Sequence, residues 1–150
     1  PAARADGLRE LDQTIFGMDC APCAAGVEQG LRKLHGVTSV RVSLNEGKAV
    51  VTLTAGNRTT LAQVREVIRH NGFTPKDARA TLVGRVMRQS DQWWIDTGSG
   101  RFVLEADSAT LQRQLIAQEA GGDVQLIVRI PETLSNPPTV QLLTAVTSAQ

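Results

Sequence analysis

The sequence predicts an α+β protein in two parts: an open antiparallel sheet with two helices on one face over residues 11–80, then a small β-barrel over 81–150. Three observations lead there. In the first half the hydrophobic period alternates between that of a strand and that of a helix, in the order β-α-β-β-α-β. In the second half short strands separated by turn residues surround one helix, in the order β-β-β-α-β-β. The halves also differ in charge: residues 1–80 carry 11 Lys and Arg against 8 Asp and Glu, whereas 81–150 carry 5 Arg, no Lys and 7 acidic residues.

Residues 11–17 place Leu11, Gln13, Ile15 and Gly17 on one face of a strand. A loop, Gly17-Met18-Asp19-Cys20-Ala21-Pro22-Cys23, leads into a helix over 22–34. Pro22 suits its first turn, where a missing N–H costs nothing. Val27, Leu31 and Leu34 form its apolar stripe, and Gly36 is its stop. Val40, Val42 and Leu44 alternate with Arg41 and Ser43 as a half-buried strand, Asn45-Glu46-Gly47 turns the chain, and 48–54 returns. Thr60 caps a second helix with Leu61, Val64, Val67 and Ile68 inward, and Asn71-Gly72 ends it. A last strand runs over 73–81, with Pro75 confining it to an edge or a late start. This is the split βαβ, or ferredoxin-like, arrangement.

In the second half, 82–86 reads as a strand with Gly84 at a bend, and 92–96 and 101–105 are strands around Thr97-Gly98-Ser99-Gly100. Ser108 caps a helix reaching Glu119, with Leu111, Leu115 and Ile116 inward and Gly121-Gly122 as its stop. Val124, Leu126, Val128 and Ile130 form the clearest strand; Asn136-Pro137-Pro138 turns the chain and 140–146 returns. The order fits an OB-fold-like barrel, and equally an SH3-like or other small β-barrel. Of Trp93 and Trp94, β alternation sends one inward and the other out.

Composition excludes several classes. Hydrophobic residues make up 41% and charged residues 21%, ordinary for a soluble globular chain. No apolar run approaches the roughly 18 residues of a membrane-spanning helix. A net charge of +1 makes no demand for nucleic acid, and the acidic second half, with Trp93, Trp94 and Phe102 as its aromatics, argues against it. The opening Pro1-Ala2-Ala3-Arg4-Ala5 fits the region after an export cleavage site, so a periplasmic or exported location is the expectation, with a trimmed cytoplasmic domain as the alternative. No nucleophile and base pair stands out, and an enzyme is not expected.

The chemistry concentrates at its two cysteines, Cys20 and Cys23. A disulfide framework needs more of them, more widely spaced. Thiolates bind metal, and a helix N-terminus favours the thiolate form. Two thiolates alone suit Cu(I) or Hg(II); a carboxylate such as Asp19 shifts the preference toward Zn(II), Cd(II) or Pb(II). A structural or redox disulfide is the competing reading, and Asp19 is equally a helix cap. Met18 reads as a buried plug under the loop rather than a thioether ligand. His35 and His70 end helices, where an imidazolium suits the dipole, and are not expected to ligate.

Residues 12–80 resemble the heavy-metal-associated domain family, whose signature Gly-Met-x-Cys-x-x-Cys stands here as Gly17-Met18-Asp19-Cys20-Ala21-Pro22-Cys23. Gly36-Val37, Val40, Asn45, Gly47, Val50-Val51 and Asn71-Gly72-Phe73 fit the same pattern. The resemblance implies an exposed metal loop that passes one thiophilic ion to a protein partner, such as a metal transporter, by ligand exchange. It implies Cys20 and Cys23 as ligands, and Phe73 as a ring packed near the loop. The acid at Asp19 is similar to the variant in zinc, cadmium and lead exporters. Two other expectations compete with a carrier: a thiol-disulfide redox protein, and an adaptor whose main activity lies in the barrel.

Overall fold

A computed structural model describes residues 7–98, 100–118 and 122–148. Its elements are β1 (Gly7–Phe16), α1 (Ala21–Arg32), β2 (Val37–Ser43), β3 (Lys48–Leu53), α2 (Leu61–His70), β4 (Thr74–Gln89), β5 (Gln92–Asp96), β6 (Arg101–Glu105), α3 (Ala109–Gln118), β7 (Asp123–Ile130) and β8 (Thr139–Ser148). The readings that fall on Pro1 to Ala5, Ser99, Glu119 and Gly121 lie outside the described residues.

The first half forms an antiparallel sheet in the order β2-β3-β1-β4, with α1 and α2 against it. This is the ferredoxin-like arrangement. Its core is the inward period of each element: Leu11 and Ile15, Val27 and Leu31, Ala49, Val51 and Leu53, Val64 and Ile68. The helices approach closely through glycine. A Cβ at Gly30 would stand 2.6 Å from Val67 Cγ1, and one at Gly26 would stand 2.8 Å from Asn71 Oδ1. Thr60 caps α2 in a full capping box, taking the Gln63 N–H while the Gln63 side chain accepts from the Thr60 N–H. Helix α1 stops at Arg32, short of the expected Leu34, because Lys33 and Leu34 donate back to Gly30 and Leu31 in a tightened last turn.

The second half closes into a five-stranded barrel: β4-β5-β6-β8-β7, with β7 pairing back onto β4. The β6–β8 pair is parallel and the others are antiparallel. Val124, Leu126, Val128 and Ile130 of β7 all face the core, as does Trp93, while Trp94 is half-buried under the Arg101 guanidinium, 5.1 Å from its ring. Ser108 Oγ accepts from the Leu111 N–H at the start of α3.

Two expectations need correction. The strands read at 73–81 and 82–86 are one strand, β4, which passes through the expected strand break between Thr81 and Leu82. Along one edge it pairs with β1 over Thr74 to Val83 and then with β5 over Arg85 to Gln89; along the other it pairs with β7 over Ala78 to Arg85. Gly84 makes the changeover, since a Cβ there would collide with the Asp96 carbonyl. Pro75 lies ahead of the β7 pairing, where only β1 is alongside, so its missing N–H is tolerated. The length of β4 also gives Gly7 and Leu8 partners at Val83 and Leu82, which is why β1 begins before Leu11. In α3, Leu115 is buried and Leu111 half-buried, but Ile116 is 54% exposed. The helix presents one narrow stripe, and Ile116 lies a further turn of about 100° around its axis from Leu115.

Candidate metal centre

The loop between β1 and α1 is shaped by its own sequence. Gly17 has φ +97°, a conformation that favours glycine. The Phe73 ring lies over it, with Cδ1 3.6 Å from where a Cβ would be. Met18 is buried in the core, which draws the loop down onto the sheet end, while Asp19 is exposed. Cys20 takes the N-cap position of α1, with φ −138° and ψ 153°, and its Sγ accepts from the Cys23 N–H at 3.2 Å. Asp19 is therefore not the helix cap; that alternative is overturned. Pro22 lies in the first turn and Cys23 follows it, so both sulfurs face the positive end of the helix dipole.

Asp19, Cys20 and Cys23 each offer a ligand atom, and these atoms lie within 4.8 Å of one another. Neither His35 nor His70 belongs to that group. His35 Nδ1 accepts from the Arg58 N–H, and His70 is exposed at the end of α2. Cys20 and Cys23 are joined in a disulfide, their Cα atoms 5.1 Å apart. Two sulfurs and a carboxylate at a helix N-terminus fit a thiophilic ion, once two electrons and two protons have returned the disulfide to thiols. Binding then releases the thiol protons.

Sequence reasoning missed a second cluster just upstream. Gln13 is fully buried and Arg65 is 3% exposed. Arg65 donates from Nε to Gln13 Oε1 at 3.0 Å, from Nη2 to the Lys76 carbonyl at 3.0 Å and from Nη1 to the Glu132 carbonyl at 3.2 Å. Gln13 Nε2 lies 2.8 Å from the Thr14 carbonyl and 2.7 Å from that of Lys76. These groups gather where the β1–β4 register shifts, between Gln13 and Ile15. Burial, and then Arg69 nearby, push the Arg65 pKa down, while Asp77 and Glu132 push it up. The signal was in the periodicity. Gln13 occupies an inward strand position between Leu11 and Ile15, and Arg65 falls within the stripe of Leu61, Val64 and Ile68. A polar side chain at an inward position requires a partner.

The pattern of the heavy-metal-associated domain matches residues 14–74. Copper chaperone CopZ of Staphylococcus haemolyticus is 38% identical over 62 residues, which make up 41% of this chain and 90% of the chaperone. The chain belongs to the heavy-metal-associated domain family. The zinc/cadmium/lead-transporting P-type ATPase of Escherichia coli is 38% identical over 66 residues, 44% of this chain but 9% of the transporter. The copper-transporting ATPase RAN1 of Arabidopsis thaliana is 32% identical over 84 residues, 53% of this chain and 8% of that protein. The chain thus spans nearly all of the chaperone and under a tenth of each transporter. Among solved structures, the yeast copper transporter domain Ccc2a superposes with a TM-score of 0.42 at 33% identity, over 45% of this chain and 90% of that one.

Proposed function

We propose that the reduced protein captures one thiophilic metal ion at Cys20 and Cys23 and passes it to a protein partner such as a metal transporter. The observation that carries this reading is the donor group itself: two sulfurs and one carboxylate within 4.8 Å, at the N-terminus of α1, in a chain of this family. The exposed Asp19 and partly exposed cysteines make the loop accessible to a partner's ligands, which suits exchange rather than storage. Similarity to a copper chaperone and to segments of metal-transporting ATPases supports a carrier that docks on a transporter. It does not select the ion, because the chaperone and the zinc, cadmium and lead transporter are equally identical to this chain. Asp19 supports a divalent ion, since Zn(II), Cd(II) and Pb(II) take mixed sulfur and oxygen ligands more readily than Cu(I).

In this reading Met18 and Phe73 support the loop from beneath and beside. The chain divides in function near residue 80, with metal capture in 11–80 and a barrel in 81–150 that presents a partner surface. We assign the barrel to the OB type on its order β4-β5-β6-β8-β7-β4 and its one parallel pair. A second reading, a thiol-disulfide redox protein, is favoured by the Cys20–Cys23 disulfide.

A competition titration of reduced protein with Zn(II), Cd(II), Hg(II) and Cu(I) separates the two. It uses the wild type, Cys20→Ser/Cys23→Ser and Asp19→Ala. The carrier reading expects tight binding of a single ion that disappears with the cysteines. It further expects Asp19→Ala to weaken Zn(II) and Cd(II) by about tenfold or more, with Cu(I) spared. No tight binding to the reduced wild type, with turnover of a dithiol substrate, would establish the redox reading instead.

A further inference from the structure

Glu132 lies between β7 and β8, in the barrel half, yet its contacts run to the strand ends that carry the metal loop. Its carbonyl accepts from Arg65, its N–H donates to Asp77 Oδ1 at 3.1 Å, and its carboxylate pairs with Lys76 Nζ at 3.2 Å. Arg129 of β7 pairs with the same Asp77. Two lines lead from Glu132 toward Gly17. The buried line passes through Arg65 to Gln13, whose amide nitrogen fills the register shift in β1. The surface line passes through Lys76, whose ammonium lies 5.7 Å from the centroid of the Phe16 ring, and Phe16 immediately precedes Gly17. Phe16 is 67% exposed, so this contact holds a ring that packing alone does not fix.

The register shift leaves Thr14, Lys76 and Asp77 out of the β1–β4 pairing, so side-chain donors stand in for ladder bonds between the two strands there. Gly17, Met18 and Cys20 follow directly from this end of β1, so its placement sets where the loop leaves the sheet. The guanidinium of Arg65 ties this strand end to its surroundings with donors in a fixed fork, aimed at three separate segments of chain. Building on the metal reading, we propose that Arg65, Gln13 and Lys76 are positioning residues through which the barrel half, by way of Glu132, sets the geometry of the metal loop. The barrel then acts on metal affinity without offering a ligand.

The test uses full-length reduced protein: the wild type, Arg65→Met, Arg65→Lys, Lys76→Met, and Val128→Ala as a control that opens a cavity in the barrel core at a side chain that makes none of these hydrogen bonds or ion pairs. Two readouts are taken under conditions where each variant is folded: Cd(II) affinity by competition, and the amide resonances of Gly17 and Met18 in metal-free protein. Arg65→Met is expected to weaken Cd(II) about tenfold and Lys76→Met about threefold, the scale of changes around metal ligands. Both should shift the two resonances, and Arg65→Lys should recover part of the loss. Val128→Ala should unfold at lower urea yet keep its affinity within about twofold. The proposal is overturned if Arg65→Met and Lys76→Met bind as the wild type does with resonances unmoved. It is equally overturned if Val128→Ala weakens Cd(II) as much as Arg65→Met does. Should Arg65→Met fail to fold, Lys76→Met decides, because losing an exposed ion pair costs little stability. Should the wild type bind no Cd(II), the metal reading fails separately, and the resonances alone decide the coupling.

Discussion

At the scale of residues, Gln13 shows what a buried amide can do that a leucine cannot. Its oxygen accepts from Arg65 and its nitrogen serves the carbonyls of Thr14 and Lys76, two residues that the β1–β4 pairing skips. Gln13→Leu keeps the volume but leaves a buried guanidinium N–H without its acceptor and removes a donor from the Thr14 and Lys76 carbonyls. The expected loss is about 3 kcal/mol, in the range for breaking a buried charged hydrogen bond, read as a lower urea midpoint with an unchanged slope. An unchanged midpoint would mean that water replaces the amide. The cysteine loop was legible in the sequence because its chemistry is local: seven consecutive residues carry the cap, the helix start and both sulfurs. Arg65 was not, because its partners come from β1, β4 and the segment after β7, and only the tertiary fold brings these together. Asp19 was legible as a candidate ligand because it adjoins Cys20, and its proximity to both sulfurs follows from Cys20 taking the cap.

At the scale of elements, β4 explains both the successes and the misreading. Strands and helices with a clean period, such as α2 or β7, lie where their patterns put them. Strand β4 changes partners at Gly84, so its pattern is that of two strands, and sequence alone divides it between 81 and 82, just ahead of the changeover. Ile116 was misplaced for a related reason: three apolar residues mark a face only when the width of the stripe is known, and α3 uses a narrow one. Gly84→Ala tests the changeover directly. Its Cβ would press on the Asp96 carbonyl, so β5 must move away. The expected cost is about 3 kcal/mol or more, at the upper end for overpacking, measured by urea unfolding. A loss below about 0.5 kcal/mol, the level of a neutral surface change, would contradict the close approach. In α1, Gly30→Ala sets a helix-propensity gain of about 1 kcal/mol against an overpacking cost of about 1–3 kcal/mol at Val67. A small net loss of stability is expected, and a net gain would show that α1 and α2 can separate.

At the scale of the molecule, the halves share β4 as well as the Arg65 and Glu132 contacts. Cutting the chain at 80 would remove half of β4 and strip its residues 78–80 of their β7 partners, so a fragment ending there should be less stable than the whole. The intact chain should unfold in a single step. Both tryptophans, Trp93 and Trp94, lie in the barrel and report on it alone, whereas α1 and α2 supply most of the helical signal. Fluorescence and far-ultraviolet dichroism are therefore expected to trace one urea transition. Two separated midpoints would show that the halves melt independently and that the shared strand does not couple them.

The central claim is that reduced Cys20 and Cys23 together hold one thiophilic ion. The most direct measurement is a Cd(II) titration of the full chain, oxidised and then reduced, following the near-ultraviolet absorption that appears when thiolate sulfur binds cadmium. The oxidised protein should show no band, and the reduced protein a band that saturates at a single equivalent and is absent from Cys20→Ser/Cys23→Ser. A reduced wild type without the band, or a band of equal strength in the double variant, would contradict it.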